Sequence, residues 1–180
     1  MPRVCGIAAE VSAMNARTMT ESMTVSAAKT IAVARIATGN IFFLFAEYKI
    51  AGNEFTPGGF IQWVGGWVEQ GQPVRFFRPV LVNLALVHPA VCARIVAWGE
   101  LAIAVSLMLG LLVRPASAWG GIFMISLALS TWFAPGRGAP VWQYFGANLD
   151  HISLLLLFVV FYATRAGTVW GLDGRLRRAT

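Results

Sequence analysis

A long apolar segment with one acidic residue near its middle constrains this chain more than any other feature. Residues 90–113 are almost wholly apolar, Glu100 lies near their centre, and Arg114 and Pro115 follow directly. As an α-helix the segment would be about 36 Å long, enough to cross a hydrocarbon core of about 30 Å. A carboxyl group at that depth costs about 2.5–3.5 kcal/mol and usually faces other helices or a wet cavity. The sequence therefore predicts a membrane-spanning helix that carries Glu100 as a candidate functional residue.

The composition of the whole chain favours a membrane protein with a single domain. Of its 180 residues, 57% are hydrophobic and only 12% are charged, far from the composition of a soluble globular protein. The net charge is +6, but the basic residues lie at the edges of apolar runs and form no cluster with interleaved aromatics. We therefore expect membrane lipid as a partner and no nucleic acid.

The cysteines and histidines predict no metal site or disulfide framework. Cys5 and Cys92 are far apart and form no CxxC pair, and a zinc site would need more soft ligands. His88 and His151 could ligate one metal ion, although histidines at helix ends more often lie at the membrane interface. We expect no intrinsic metal.

Four apolar segments are predicted to span the membrane: residues 31–50, 90–113, 116–133 and 150–166. Between the first two, Phe60, Trp63, Val64 and Trp67 recur at helical spacing, which is typical of an amphipathic helix in the interface. Residues 79–88 would form only about 15 Å of helix, so they lie on the membrane or re-enter it. The predicted fold is an all-α integral membrane four-helix bundle with an amphipathic or re-entrant connection between helices 1 and 2.

The remaining segments are short, and their basic residues predict the orientation of the bundle. Residues 1–29 are expected to form a mobile tail, residues 30–176 the transmembrane domain, and residues 177–180 a basic tail. The side with both termini and the turn between spans 2 and 3 carries most of the basic residues: Arg3, Arg17, Lys29, Arg114, Arg165, Arg175, Arg177 and Arg178. Both termini are therefore predicted to be cytoplasmic, in a multi-pass protein of a bacterial-type inner (cytoplasmic) membrane.

The depth of each polar residue in the membrane can be calculated from the helical rise of about 1.5 Å per residue, if the predicted helices are antiparallel neighbours. Glu47 and Arg94 have matching depths near the outer end, so we predict an ion pair between them. Asn40 falls nearer the centre, at a level closer to Glu100. Two interpretations of Glu100 remain open: a structural polar anchor, or a carboxylate that handles protons or orients a ligand. Arg35 is close enough to a helix end for its side chain to reach the headgroups.

Several short motifs occur in a recognisable order. They are Arg35-x3-Gly39-x2-Phe42 running to Lys49, then Gly99-Glu100-Leu101, Leu109-Gly110-Leu111-Leu112, Arg114, Ala166-Gly167 and Gly171-Leu172-Asp173. Together they resemble the DoxX/DoxD family of small four-helix membrane proteins over residues 34–176. One departure is Ala46-Glu47, where the family more often has a glycine and a neutral residue before the lysine.

The resemblance implies a function in a quinone-linked redox system. Some members are similar to the membrane subunit of thiosulfate:quinone oxidoreductase, and others are linked to thiol and oxidative-stress defence. The positions that carry over are Arg35, Lys49 and Glu100: Glu100 for protons or a quinone carbonyl, and the two cations for anion or charge balancing. Because the chain has no redox centre of its own, a membrane quinone and a partner subunit, or a homo-oligomer, would complete the system.

An aromatic cavity could hold the quinone beside the bundle. Phe60 and four further aromatic residues, Trp63, Trp67, Phe76 and Phe77, would line it, and Asn40 could add a polar contact. The alternative is a non-enzymatic membrane scaffold or assembly subunit whose charged residues only fix helix packing and partner docking. A transporter is disfavoured, because the chain shows no inverted repeat and no pair of broken helices.

Overall fold

The computed structural model describes residues 3–52 and 55–179, with side chains described for residues 24–52 and 55–176. Within these ranges the chain is helical and has no β-strand. The helices are α1 (Arg3–Ala51), α2 (Pro57–Glu69), α3 (Arg78–Val80), α4 (Pro89–Leu109), α5 (Val113–Thr131), α6 (Val141–Ala147), α7 (Leu149–Thr164) and α8 (Leu172–Ala179). A π-helical turn (Leu81–Ala85) continues α3, and a 3-10 turn (Ala166–Thr168) follows α7.

Two described helices are long and apolar enough to cross a membrane: Thr24–Ala51 within α1, and α4. Taken together as one span bent by 69°, α6 and α7 are also long and apolar enough to cross a membrane. The all-helical prediction is therefore confirmed for the described residues, with two or three candidate membrane spans. Most of the predicted N-terminal tail belongs to α1, and its mobility stays a prediction.

The helices α1 and α4 pack closely along one another in antiparallel directions. Gly39 of α1 permits this approach, because a Cβ at this position would lie 2.9 Å from Met108 Cγ and 3.1 Å from the Ala104 carbonyl oxygen. Small residues allow helix backbones to approach in membranes, where burial of apolar surface does not drive helices together. The α1–α4 contact therefore depends on the absence of a side chain at Gly39.

The helices α5 and α7 form the second close pair, and α4 joins it to the first by packing against α5. The ring of Phe158 fills the space beside Gly120, and it also meets Phe42 of α1 edge-on with 5.4 Å between ring centroids. One buried cluster thus draws on α1, α4, α5 and α7: Phe42, Ile103, Ala104, Leu107, Val113, Met124, Phe158 and Phe161.

A second, smaller core holds α2 and the π-helical turn against the beginning of α4. Its buried members are Phe60, Val64, Leu81 and Ala93. Thr56 caps α2 by accepting a hydrogen bond from Gly59 N, and Pro57 occupies the first helical position, where no donor is needed. The connection between α1 and α4 is therefore partly helical, and one of its faces is packed.

The turn between α4 and α5 ends the predicted second span earlier than the sequence suggested. Gly110 adopts a left-handed conformation with φ of 65°, which terminates α4, and Leu112 follows with φ of 54°. A left-handed conformation at a residue other than glycine is uncommon and needs support from the surrounding structure. That support comes from the C-terminal segment.

Candidate functional site

The centre of the candidate site is an ion pair between α1 and α4. Lys49 Nζ donates a hydrogen bond to Glu100 Oε1 at 2.5 Å. The side chain of Glu100 is 6% exposed and that of Lys49 is 18% exposed, so both charges are largely removed from solvent. The second carboxylate oxygen, Oε2, is buried and accepts no hydrogen bond from the residues that the structure describes. Glu100 thus keeps one acceptor position free for a proton or a donor.

A cavity of about 270 Å³ lies beside this pair, on the Lys49 side. Two cations, Lys49 and Arg94, contribute to its wall, together with the aromatic side chains of Phe55 and Trp98. The remaining walls are small or aliphatic: Ile50, Pro57, Ala90, Ala93 and Ala97. Glu100 itself does not line the cavity, but it contacts Lys49, which does. The arrangement suits a planar, weakly polar group with oxygen acceptors.

Helix geometry explains why these side chains converge. Ala90, Ala93, Arg94 and Ala97 recur at three- and four-residue intervals, so they share one face of α4. The alanines leave room where larger residues would close the cavity. Lys49 Nζ also lies 5.4 Å from the centre of the Phe55 ring, an arrangement that favours the cation electrostatically.

The predicted pair between Glu47 and Arg94 is wrong. Within the described parts of the chain, Lys49 forms an ion pair with Glu100, and His151 lies near Asp150 in a contact that is ionic only when the imidazole is protonated. Glu47 is exposed, and Arg94 Nε donates instead to the Ala90 carbonyl oxygen of its own helix. The counted depths did not include the rotation of α1, which turns Lys49 and not Glu47 toward α4.

The aromatic residues predicted to hold a quinone are not brought together around this cavity. Neither Trp63 nor Phe76 is among the residues that line the cavity, and both are exposed. Trp67 and Phe77 pack against the smaller core, where Phe60 is buried. The residues that line the cavity instead, Phe55 and Trp98, were missed. Trp98 is one helical turn after Arg94, a spacing that could have indicated it.

Asn40 is also directed away from the pair. It is exposed on α1, and its side-chain amide donates to the Ile36 carbonyl oxygen one turn earlier. The depth of Asn40 is therefore compatible with a central position, but its helix face is not. Its role in ligand binding stays a prediction that this placement does not support.

Arg35 belongs to a second polar cluster, separate from Lys49 and Glu100. Its side chain is fully buried, and its guanidinium donates to the carbonyl oxygens of Leu107 and Trp170, the latter at 3.1 Å. The nearby carboxylate of Asp173 adds a favourable charge interaction. The cation thus lies at the carboxyl end of α4, where the helix dipole also favours it. The position of Arg35 near a helix end suggested that its side chain turns outward to lipid headgroups. The side chain is instead directed into the protein.

Asp173 completes this cluster by capping α5 from a distant part of the chain. Its two carboxylate oxygens accept from Leu112 N at 2.8 Å and Val113 N at 3.1 Å, while Asp173 N donates to the Gly110 carbonyl oxygen at 2.9 Å. These bonds satisfy donors that the first turn of α5 leaves free. We call Arg35, Gly110, Gly167, Gly171 and Asp173 the C-terminal latch.

The glycines of the latch allow its segments to touch. A Cβ at Gly171 would lie 2.3 Å from the Gly167 carbonyl oxygen, and one at Gly167 would lie 2.4 Å from Asp173 Oδ2. Three short motifs that are distant in the sequence therefore meet at one end of the molecule. The structure gives them a packing role, and it separates Arg35 from the two other charged residues predicted with it.

Shared ligation of one metal ion by the two histidines stays a prediction. His88 precedes α4, whereas His151 Nδ1 lies 3.4 Å from Asp150 Oδ1 at the start of α7. In the ranges that the structure covers, no group of three or more histidine, cysteine or acidic residues is placed to hold a metal ion. A buried residue that the sequence reading missed is Asn148, which accepts from Thr131 Oγ1 at 2.9 Å and joins α5 to α7.

The DoxX/DoxD resemblance rests on the sequence motifs alone. Comparisons with protein-family models, with curated proteins and with solved structures found no match to this chain.

Proposed function

We propose that this chain is a DoxX-like membrane subunit of a quinone-linked redox system, with its site at the Lys49–Glu100 pair and the adjoining cavity. The observation that carries the proposal is the pairing of a buried carboxylate with a lysine that also lines a cavity. A structural ion pair needs no such cavity. A site for a polar ring requires both a space and a hydrogen-bond donor at its wall.

The residues of the cavity fit a quinone headgroup. Phe55 and Trp98 offer aromatic faces for a planar ring, and Lys49 and Arg94 can donate hydrogen bonds to carbonyl oxygens. When bound, a quinone would supply the redox chemistry by taking up two electrons and two protons. The electrons come from a partner subunit that oxidises two thiosulfate ions to tetrathionate, or two thiols to a disulfide.

The proposed role of this chain is to orient the headgroup and to hold protons. Lys49 can donate a proton into the cavity, and Glu100 is placed to return one to Lys49 through the 2.5 Å contact. Glu100 Oε2 has a free acceptor position for a proton on its way to the pair. Arg94 would balance negative charge that develops on the bound ring.

The test is to extract the protein in mild detergent and quantify co-purified quinone by solvent extraction and chromatography. Ala90→Trp fills the cavity without altering the ion pair and should reduce bound quinone at least tenfold. Val91→Trp is the matched control, because Val91 is exposed on the neighbouring face of α4 and is not part of the cavity wall. Loss of quinone from neither variant, or from both equally, would contradict this location of the site.

A reconstituted assay tests the redox step itself. With the partner subunit present, Glu100→Gln should slow quinone reduction by thiosulfate or thiols more than it weakens quinone binding, because the amide cannot hold a proton. Glu47→Gln on the exposed face of α1 should change neither. If the purified protein holds no quinone and the complex reconstituted with the partner subunit gives no reduction with either donor, the redox proposal fails.

We also propose that α1, α4, α5 and the bent pair α6–α7 form a four-span bundle in a bacterial-type inner membrane. Supporting observations are the antiparallel packing of α4 with α5 and of α5 with α7. The helix α2, with exposed Trp63, would lie in the interface. The basic residues around the α4–α5 turn favour a cytoplasmic location for that end and for both termini.

A second candidate is a non-enzymatic membrane scaffold, which the C-terminal latch favours. There both terminal nitrogens of the Arg35 guanidinium and both carboxylate oxygens of Asp173 bind other segments of the chain. In a scaffold, Glu100→Gln would leave both partner co-purification and the activity of the complex intact. In the redox subunit, the same variant would retain the partner but lose quinone reduction.

A further inference from the structure

The end of the molecule that contains the C-terminal latch carries exposed arginines on three segments of the chain. Arg114 at the start of α5 and Arg165 after α7 are exposed, and Arg175 is exposed on α8. The sequence of α8 adds Arg177 and Arg178. The described segments at this end therefore share a basic surface with three exposed arginines.

The latch explains why Asp173 does not neutralise these arginines. Asp173 is the acidic residue of the segments 109–117 and 163–179, and its carboxylate is occupied by Leu112 N and Val113 N. Its charge also faces the buried guanidinium of Arg35. The carboxylate is thus directed into the protein, while the arginines on the same segments remain outside.

The same surface carries apolar side chains suited to the boundary of a bilayer. Leu112, Trp170 and Leu176 are 57–61% exposed beside the arginines. The segment with Trp170 is held in position by the bond from Arg35 Nη2 to its carbonyl oxygen. Tryptophan is enriched at the headgroup level of membranes, and basic clusters next to membrane spans attract anionic lipid.

We infer that this surface, formed by Arg114, Arg165, Arg175 and the exposed Trp170 and Leu176, binds the phosphate headgroups of anionic phospholipids. We name it the basic rim. The occupant is a lipid and not a free anion, because exposed apolar side chains accompany the charges and because the short segment 165–171 joins α8 to the proposed membrane span α6–α7. The inference requires the membrane location, and it is independent of the proposed redox function.

The test is native mass spectrometry of the detergent-solubilised full chain, titrated with phosphatidylglycerol and with phosphatidylcholine of identical acyl chains. The wild type should bind phosphatidylglycerol at least tenfold more tightly. R165Q/R175Q should lose most of that preference, because each surface arginine contributes roughly a fivefold factor toward an anionic membrane. Gln at position 165 leaves another non-glycine residue at the same left-handed φ of 51°, so the backbone is not newly strained.

The matched control is R75Q/R78Q, which removes two exposed arginines at and just before the start of α3, near the other end of α5. This variant should keep the lipid preference of the wild type. A rise to 1 M salt should weaken phosphatidylglycerol binding to the wild type, since screening shortens the range of surface charges. Equal affinity for the two lipids, or equal losses in the two double variants, would overturn the inference.

If R165Q/R175Q folds poorly, the comparison uses R175Q alone, whose side chain lies on α8 outside the packed cores. Melting temperatures in detergent identify such a loss of folding. A well-folded R175Q with unchanged lipid preference would also count against the basic rim. Quinone content should stay at the wild-type level in every rim variant, which separates this test from that of the redox site.

Discussion

At the scale of single residues, the ion pair between Lys49 and Glu100 shows that the depth of a residue along its helix does not predict which side chain it contacts. The sequence indicated Glu100 by its depth in an apolar segment and Lys49 by resemblance, but it assigned Arg94 to Glu47. Depth follows from the helical rise, whereas the facing side chain depends on helix rotation and on the long lysine stem. The contact of 2.5 Å required knowledge of how α1 rotates against α4.

The pair itself can be tested by removing its cation. Lys49→Met should lower the free energy of unfolding by about 3 kcal/mol, because it leaves a buried carboxylate without a partner. K49M/E100L, which replaces both charges by apolar groups, should recover most of this loss. Unfolding in mixed micelles measures both values. Glu47→Gln is the exposed control, and its free energy of unfolding should lie within about 0.5 kcal/mol of the wild-type value. If the K49M variant were as stable as the wild type, the ion pair would not form.

At the scale of helices, the sequence predicted three long elements well and the contacts between helices poorly. Apolar length placed α4, α5 and α7 within a few residues of their observed bounds, whereas α1 begins at Arg3 and not near residue 31. Gly110 was hidden inside the predicted span 90–113, because a left-handed glycine cannot be told from a packing glycine by type alone. The helix α6 fell in a predicted loop, since its short sequence has no strong periodicity.

Alanine substitutions at two adjacent glycines of α5 distinguish the effect of close packing on stability from the effect of helix propensity. Gly120→Ala should destabilise the protein by about 1–3 kcal/mol, since its Cβ would lie 2.4–2.7 Å from three ring carbons of Phe158. Gly121→Ala should be neutral or slightly stabilising, because its Cβ would be 3.5 Å from Leu155 Cδ1 and alanine favours helix. Thermal unfolding in detergent compares them. Phe158→Leu should reduce the penalty of Gly120→Ala; equal effects of the two alanines would refute this packing.

The distant cap of α5 gives a second test between elements. Asp173→Ala should cost about 2 kcal/mol, because Leu112 N and Val113 N lose their acceptors and Arg35 loses a nearby carboxylate. Asp173→Asn keeps one acceptor and should cost less. Asp150→Ala is the control, an exposed acidic residue in the first turn of α7 with an expected loss of about 0.3–1 kcal/mol. Chemical denaturation measures the free energy of unfolding of each variant. Equal losses for Asp173→Ala and Asp150→Ala would contradict the capping role.

At the scale of the whole molecule, the two ends of the helices are used differently. One end has the cavity between α1, α4 and the α1–α2 loop, and the other has the C-terminal latch and the basic rim. The order of the sequence motifs could not reveal this division, because Arg35 and Asp173 meet only after the chain has folded back along three helices. Glu100 and Arg35 therefore looked like members of one site, although the structure places them in two.

The division also predicts a topology in which α5 crosses the membrane, although α5 is not among the helices that pass the test of length and composition. In a C5S/C92S background, single cysteines at Leu112 and Thr180 should react with a membrane-impermeant maleimide only from the cytoplasmic side. Cysteines at Ala51 and Ala134 should react only from the opposite side, since α1 and α5 end there. Intact cells and inverted vesicles provide the two sides, and permeabilised membranes show that each cysteine is reactive. Labelling of Leu112 and Ala134 positions from the same side would exclude a crossing by α5 and with it the four-span bundle.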